Sequence, residues 1–352
     1  MTPTISLAEL GWRPLFQQAL TLEQMESGVV ARILGVDRDR LMLRSEQSQW
    51  HEPLEKRWHD VAIDERPTVG DWVWLQPDVP GTLTLLPRQT LLQRVASGTE
   101  PKPQLLAANI DTLLIVSSCN ADFNPARLER YLALAMEAGA MPVFVLTKAD
   151  LSSEADDYRA AAQTLHAATP VVVLNALDHS AVDLLKPWLA PGQTVAILGS
   201  SGVGKTTLTN TLLGDGRFST AGIREQDAKG RHTTTARQMV HLPDGGWIVD
   251  TPGMRELRLG DASDGVDRLF DDIVELARHC RFADCQHQGD QGCALAAALE
   301  QGTLDPDRLQ RFLKLKRESQ HAQQTVWERR KRYKAFGKMA RSVLKAKNER
   351  KR

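Results

Sequence analysis

Residues 199–206 read Gly-Ser-Ser-Gly-Val-Gly-Lys-Thr, the spacing Gly-x4-Gly-Lys-Thr of a phosphate-gripping loop. Gly199, Gly202 and Gly204 let the backbone curl so that its N–H groups face phosphate oxygens, with Ser200, Ser201 and Val203 completing the curl. In such a loop Lys205 reaches the β- and γ-phosphates, Thr206 binds Mg2+, and Thr207 stands beside it in the first helical turn. The context fits: an apolar run, 195–198, comes before and a helix-like segment, 205–213, comes after. The bland alternative is a glycine-rich turn with an incidental lysine.

Downstream, Asp250 ends an apolar run and opens Asp-Thr-Pro-Gly-Met, 250–254. A carboxylate there holds Mg2+ through its water shell, and the Gly253 N–H is placed to meet the γ-phosphate. Between the two motifs lies a polar, threonine-rich loop, 229–236, where a switch segment belongs. One of Thr233, Thr234 and Thr235 is expected to complete Mg2+ coordination, with Thr234 preferred. Met254 and Arg255 follow Gly253, where Ras-like enzymes carry a glutamine that orients the attacking water. Methionine cannot do this, so slow intrinsic hydrolysis is expected. His232 in the switch loop is the best substitute; an exposed loop histidine is the alternative.

The base-reading signature lies upstream. In Leu-Thr-Lys-Ala-Asp, 146–150, the Asp150 carboxylate accepts from the paired N–H donors of guanine, which adenine lacks. Lys148 runs along the base and ribose, with Thr147 preceding it, and Asn175-Ala176 offers a backbone N–H to the guanine carbonyl. An ordinary GTPase carries these parts after the phosphate loop. The same sheet forms in this order if the usual chain ends are joined and new ends opened elsewhere, which is feasible because termini often lie close together.

A second constellation is Cys280-x4-Cys285-x-His287-x5-Cys293. Three thiolates and one imidazole make a closed tetrahedral zinc set with no open position, hence a structural metal. His279 is a rival ligand, awkwardly placed next to Cys280. The fourth cysteine, Cys119, follows an apolar strand and reads as a buried bystander.

These groups need a scaffold. Between 104 and 250, apolar strand candidates (111–118, 142–150, 170–176, 194–199, 246–250) alternate with helical stretches (124–140, 154–168), which predicts a parallel sheet covered on both faces. The polar signatures fall at strand carboxyl ends, where such sheets bind ligands. Residues 26–100 hold short strand-like runs (28–36, 40–45, 71–77, 81–88) separated by turns, the pattern of a small β-barrel, the oligonucleotide-binding type being one candidate. Trp72 and Trp74 alternate there, either as core residues or as a base-stacking face. Residues 264–279 read as a helix, and the chain beyond about 295 as helical and increasingly basic.

The chain has 352 residues and zero formal net charge. From 301 onward, however, there are 17 basic and 5 acidic residues, against 27 and 39 before. A basic tail on an acidic body points to a polyanionic partner; a solvated helical face is the alternative. No run reaches the roughly 18 apolar residues of a membrane span, and the first 20 residues lack a basic end followed by an apolar run. A cytoplasmic protein without membrane association is therefore expected, monomeric for want of any self-interface signal.

TKAD, GSSGVGKTT, GRHTTT, DTPGM and the Cys/His cluster, in that order, resemble the circularly permuted GTPases of the RsgA (YjeQ/EngC) family, the small-ribosomal-subunit biogenesis GTPases. The resemblance covers about 25–300 and includes Val-Gly-Asp-Trp-Val (69–73) and Leu-Leu-Ala-Ala-Asn-Ile-Asp (105–111). It implies an N-terminal OB-fold barrel, a central permuted GTPase domain and a C-terminal zinc domain. It also implies GTP hydrolysis stimulated by the small ribosomal subunit during late maturation, with contacts to its rRNA, and it points to His232 as the catalytic residue. The corresponding segments are an extension at 1–25, the barrel at 26–103, the GTPase domain at 104–258, the zinc-binding domain at 259–326 and a basic helical tail at 327–352. Two positions depart from common patterns: Thr147 where many GTPases have asparagine, and Asn175 where serine is common. Two competing readings stand, a phosphate-loop kinase and an RNA-binding module with a degenerate nucleotide site. Asp150 opposes the first, and the intact Lys205, Thr206 and Asp250 oppose the second.

Overall fold

The computed structural model describes residues 4–77, 79–95, 103–214, 237–250, 262–287 and 290–320. The chain divides into two compact units, residues 1–258 and 259–352.

The first unit begins with two short helices, α1 (Pro14–Gln18) and α2 (Leu22–Ser27). A capping box starts α2, with Thr21 and Gln24 each accepting from the other's backbone N–H. Strands β1 (Val29–Val36), β2 (Arg40–Arg44) and β3 (Gln49–Pro53), helix α3 (Arg57–Asp60), and strands β4 (Trp72–Leu75) and β5 (Thr84–Leu85) come next. These strands pair antiparallel in the order β3-β2-β1-β4-β5. Alternate residues Ala31, Ile33, Leu41, Leu43, Val73 and Leu75 turn to one face and form a single apolar cluster. Two further strands, β6 (Leu91–Val95) and β7 (Pro103–Ala108), make a separate antiparallel pair. Neither β3 nor this pair is foreseen in the sequence.

Both tryptophans of β4 are core. Trp72 is fully buried, edge-on to Trp12 with ring centroids 4.7 Å apart. Trp74 is buried and donates its indole N–H to the Gln24 carbonyl at 2.7 Å. Burial of Leu10 and Phe16 packs the leading segment into the same unit.

The remaining elements are β8 (Thr112–Ser118), α4 (Pro125–Ala138), β9 (Met141–Thr147), α5 (Ala155–Leu165), β10 (Val171–Val173), α6 (Ser180–Leu185), β11 (Thr194–Gly199), α7 (Lys205–Leu213), β12 (Arg237–His241) and β13 (Trp247–Asp250). Pro125 at the first turn and left-handed Gly139 after the last delimit α4, as the sequence predicts, and the Asn124 side chain adds a cap. The strands order β10-β9-β8-β11-β13-β12, parallel except for antiparallel β12. Strands β8 and β11 are buried along their whole length, as a sheet covered on both faces requires. The chain winds outward from β8 to β10, returns to β11 beside β8, and winds the other way. The switch point, and so the ligand crevice, lies at the carboxyl ends of β8 and β11.

Strand β12, unforeseen in the sequence, also pairs with β1 (Gly35 with Gln238, Val36 with Arg237) and joins the two strand groups. A second tie is Arg32 on β1. Its buried guanidinium donates to the Leu10 carbonyl (2.6 Å), Thr194 Oγ1 (2.8 Å) and the Asn109 carbonyl (3.1 Å). Burial lowers its pKa to about 10, so it stays charged at neutral pH.

In the second unit the single helix expected at 264–279 is two, α8 (Ser263–Leu269) and α9 (Asp271–Ala277). The break falls at Phe270, which is buried and tilted against Phe312 with centroids 5.4 Å apart. Helix α10 (Ala294–Glu300) and a helical stretch at 306–320 complete the described part. Among the described residues no helix is long and apolar enough to cross a membrane.

Candidate nucleotide site and metal centre

The phosphate loop spans the end of β11 and the start of α7. Gly199 has φ +154°, and a Cβ there would meet the Val116 carbonyl oxygen at 2.3 Å, so only glycine fits against β8. Val203 is buried, whereas Ser201, Gly202 and Thr206 are exposed, which leaves the outer curl open to solvent. The Lys205 ammonium is held on the loop's own carbonyls, Gly199 at 2.7 Å and Ser200. Thr207 is half-buried one position further into α7. Strand β13 runs parallel to β11 with Ala196 opposite Val249, so Asp250 ends its strand beside the one that feeds the loop. Thr206 is exposed at the start of α7.

The segment expected to read the base meets this loop. Thr147, the last residue of β9, is fully buried. Its hydroxyl lies 2.5 Å from the Val203 carbonyl of the phosphate loop and 3.1 Å from the Ser117 carbonyl of β8. Threonine at this departure from the common asparagine therefore still ties the two motifs. Lys148 takes the left-handed conformation (φ +58°), turning the chain into a short 3-10 helix, 149–151, on which Asp150 is exposed. Asn175 accepts from the Leu177 N–H at 2.9 Å, shaping the next loop, and the Ala176 carbonyl accepts from Thr211 Oγ1 of α7 at 2.7 Å. Both base-side segments are thus hydrogen-bonded to the loop or helix that grips phosphate. Of the other sequence-predicted residues, His232, Thr234 and Gly253 lie outside the described residues, as do the switch loop 229–236 and the tail 327–352.

The second unit gathers Cys280, Cys285, His287 and Cys293, whose ligand atoms all lie within 4.8 Å of one another. Cys280 Sγ is 4.0 Å from Cys293 Sγ, and His287 Nδ1 is 3.6 Å from each. A tetrahedral ion with metal–sulfur bonds of about 2.3 Å and metal–nitrogen bonds of about 2.0 Å implies edges of roughly 3.8 and 3.5 Å, so the donor set fits Zn2+. His279, the rival, is not in the group. His287 has φ +58°, a strained backbone that aims its ring inward. Burial pushes the Cys280 thiol up, but the Ala294 N–H and neighbouring thiols more than offset it and leave it below its ordinary range. Cys285 is pushed the other way by burial and by its thiol and Asp290 neighbours. Three thiols this close need a cation to carry full thiolate charge. Asp290 Oδ2 is 3.4 Å from Cys285 Sγ and accepts from the Gln286 N–H at 3.0 Å, an outer contact that sequence reasoning missed.

Comparison with known proteins settles the family. The RsgA GTPase family model matches residues 85–260. A curated relative from Vibrio vulnificus, "Small ribosomal subunit biogenesis GTPase RsgA 2", is 50% identical over 96% of this chain and 95% of its own. This chain belongs to the RsgA GTPase family. A second relative, "Small ribosomal subunit biogenesis GTPase RsgA" from Mesorhizobium japonicum, is 50% identical over 90% of each chain. The crystal structure of YjeQ from Thermotoga maritima aligns with TM-score 0.58 and 25% identity over 83% of this chain and 98% of that one. That of YloQ, described as a circularly permuted GTPase, aligns with TM-score 0.55 and 21% identity over 84% and 96%. The chain is thus a GTP hydrolase on a circularly permuted fold, and the reversed motif order has its structural counterpart in β9 and β10 preceding β11.

Proposed function

We propose that this protein binds GTP across the β8/β11 crevice and hydrolyses it to GDP and phosphate, as a monomer, while bound to the small ribosomal subunit in its late maturation. The observation that carries the nucleotide reading is the contact of Thr147 with the Val203 carbonyl, which joins the base-reading segment to the phosphate loop. The ribosomal part is supported by the relatives' names, which describe small-ribosomal-subunit biogenesis GTPases. In this reading Asp150 selects guanine and Lys148 flanks it. Asn175 and Ala176 close the base pocket, and residues 199–207 wrap the phosphates. Thr206, Thr234 and Asp250 would hold Mg2+, which supplies charge neutralisation at the transferring phosphate. Gly253 meets the γ-phosphate, and His232 orients the attacking water once the subunit engages. The strands of 26–103 form an OB-type barrel, 104–258 the GTPase domain, and 259–326 a module held by one structural Zn2+. The basic tail 327–352 contacts rRNA phosphates.

Hydrolysis of GTP and of ATP, each with and without small ribosomal subunits, tests this. GTP turnover accelerated by subunits, with ATP inert, is expected. Equal use of ATP sinks the guanine assignment, and indifference to subunits sinks the ribosomal one. His232→Ala should lower subunit-stimulated turnover by about a hundredfold or more while sparing GTP binding, the size of effect seen when a water-positioning group is lost.

A further inference from the structure

The loop leaving β8, residues 119–124, and the start of α4 face the phosphate loop across the switch point of the sheet. Nothing in the sequence motifs assigns them a role. Arg127, in the first turn of α4, donates from Nη1 to the Ser200 hydroxyl of the phosphate loop. The same guanidinium nitrogen lies 3.1 and 3.2 Å from the two carboxylate oxygens of Asp122. Asp122 is itself placed by the Asn120 side chain, which accepts from its N–H at 3.0 Å. The Arg127 amide is capped by Asn124 at 3.0 Å. One turn on, Tyr131 of the same helix is buried.

Ser200 is the second residue of the loop, and its carbonyl accepts from Lys205. Arg127 therefore holds one end of the curl by its side chain, while Thr147 holds the other end at Val203. A short glycine-rich loop has many curls open to it, and only one points its N–H groups at phosphate. Fixing two points removes most of the others before nucleotide arrives. The Nη1 of the guanidinium bridges Asp122 and Ser200, so these contacts are those of a mechanical support for the loop.

We propose that Arg127 is a positioning residue for nucleotide binding, acting through Ser200 to keep the phosphate loop in its nucleotide-accepting curl. This rests on the reading of the crevice as a nucleotide site and deepens it. A loop only fractionally in the competent curl binds with an affinity reduced by that fraction, while the bound complex turns over normally.

The test is titration of the full chain with a fluorescent GDP analogue and a non-hydrolysable GTP analogue, alongside steady-state turnover and thermal melting. If the unmodified protein bound neither nucleotide, the nucleotide reading itself would fail, a result separable from any effect of the variants. Arg127→Ala should raise Kd for both nucleotides about tenfold, with the turnover loss falling on KM and not on kcat. Ser200→Ala should weaken binding to a similar extent, and the double variant should be no weaker than either single one, because both remove the same support. Arg127→Lys, which keeps the charge but loses the fork, should lie between, and serves if the alanine variant does not fold. Unchanged Kd in Arg127→Ala, or additive losses in the double variant, would overturn the proposal.

Discussion

All four candidate metal ligands fall within the 14 residues from Cys280 to Cys293, whereas the candidate nucleotide contacts in the described structure run from Thr147 to Asp250. The two sites also rest on different supports. The phosphate loop is anchored between fully buried strands and touched by side chains from β9 and α4. In the metal group only Cys293 is buried, and its neighbours are turns and short helices. A site built across a sheet takes its geometry from a core that exists without ligand. A site built from one polar stretch depends more on its ligand, so an ion bound there would supply geometry and folding energy together.

The comparison breaks most sharply if the metal is removed. Apparent zinc-binding free energies in small modules are about 10–16 kcal/mol. Stripping the metal, or Cys285→Ala, should therefore abolish amide exchange protection across 280–300 while leaving 194–213 protected. Protection retained in the stripped protein would show that the second unit folds on its own core.

Next in size is Asp150→Asn. Loss of a charged acceptor for paired donors costs about 2.7 kcal/mol, roughly a hundredfold in GDP affinity, with no change in thermal stability because Asp150 is exposed. A calorimetric titration with unchanged affinity would mean that the base lies elsewhere.

The smallest effect tests the coupling of the two halves of the nucleotide site. Thr147→Val keeps the buried volume but leaves the Val203 carbonyl without its side-chain donor, at a cost of about 1 kcal/mol or a fivefold rise in the Kd for GDP. Thr147→Ser should restore most of it. If the valine variant bound GDP like the parent, the phosphate loop would be shown to hold its shape without β9.

The residues alone reveal the two regions to different depths. The four clustered ligands are all readable, because each lies a few positions from the next and the chemistry of thiolate and imidazole limits the choice. Asp290 is not, since an aspartate beside a cysteine has no signature of its own. In the first unit the long apolar runs of β8, β9 and β11 stand out, and Pro125 and Gly139 mark the limits of α4. Strands β3 and β12 do not stand out because they carry mixed polar residues, and β6 and β7, a pair apart from the main sheet, owe their conformation to each other.

Spacing alone determined the phosphate loop, the upstream Thr-Lys-x-Asp signature, their reversed order and the metal donor set, because each depends on residues near one another in the chain. Tertiary structure decided what Thr147 touches, which face Trp72 and Trp74 turn to, where the buried charge of Arg32 is satisfied, and that Arg127 reaches Ser200. Those facts depend on strand order and register. A hydrogen bond between residues 56 or 73 positions apart leaves no periodicity in the chain that makes it.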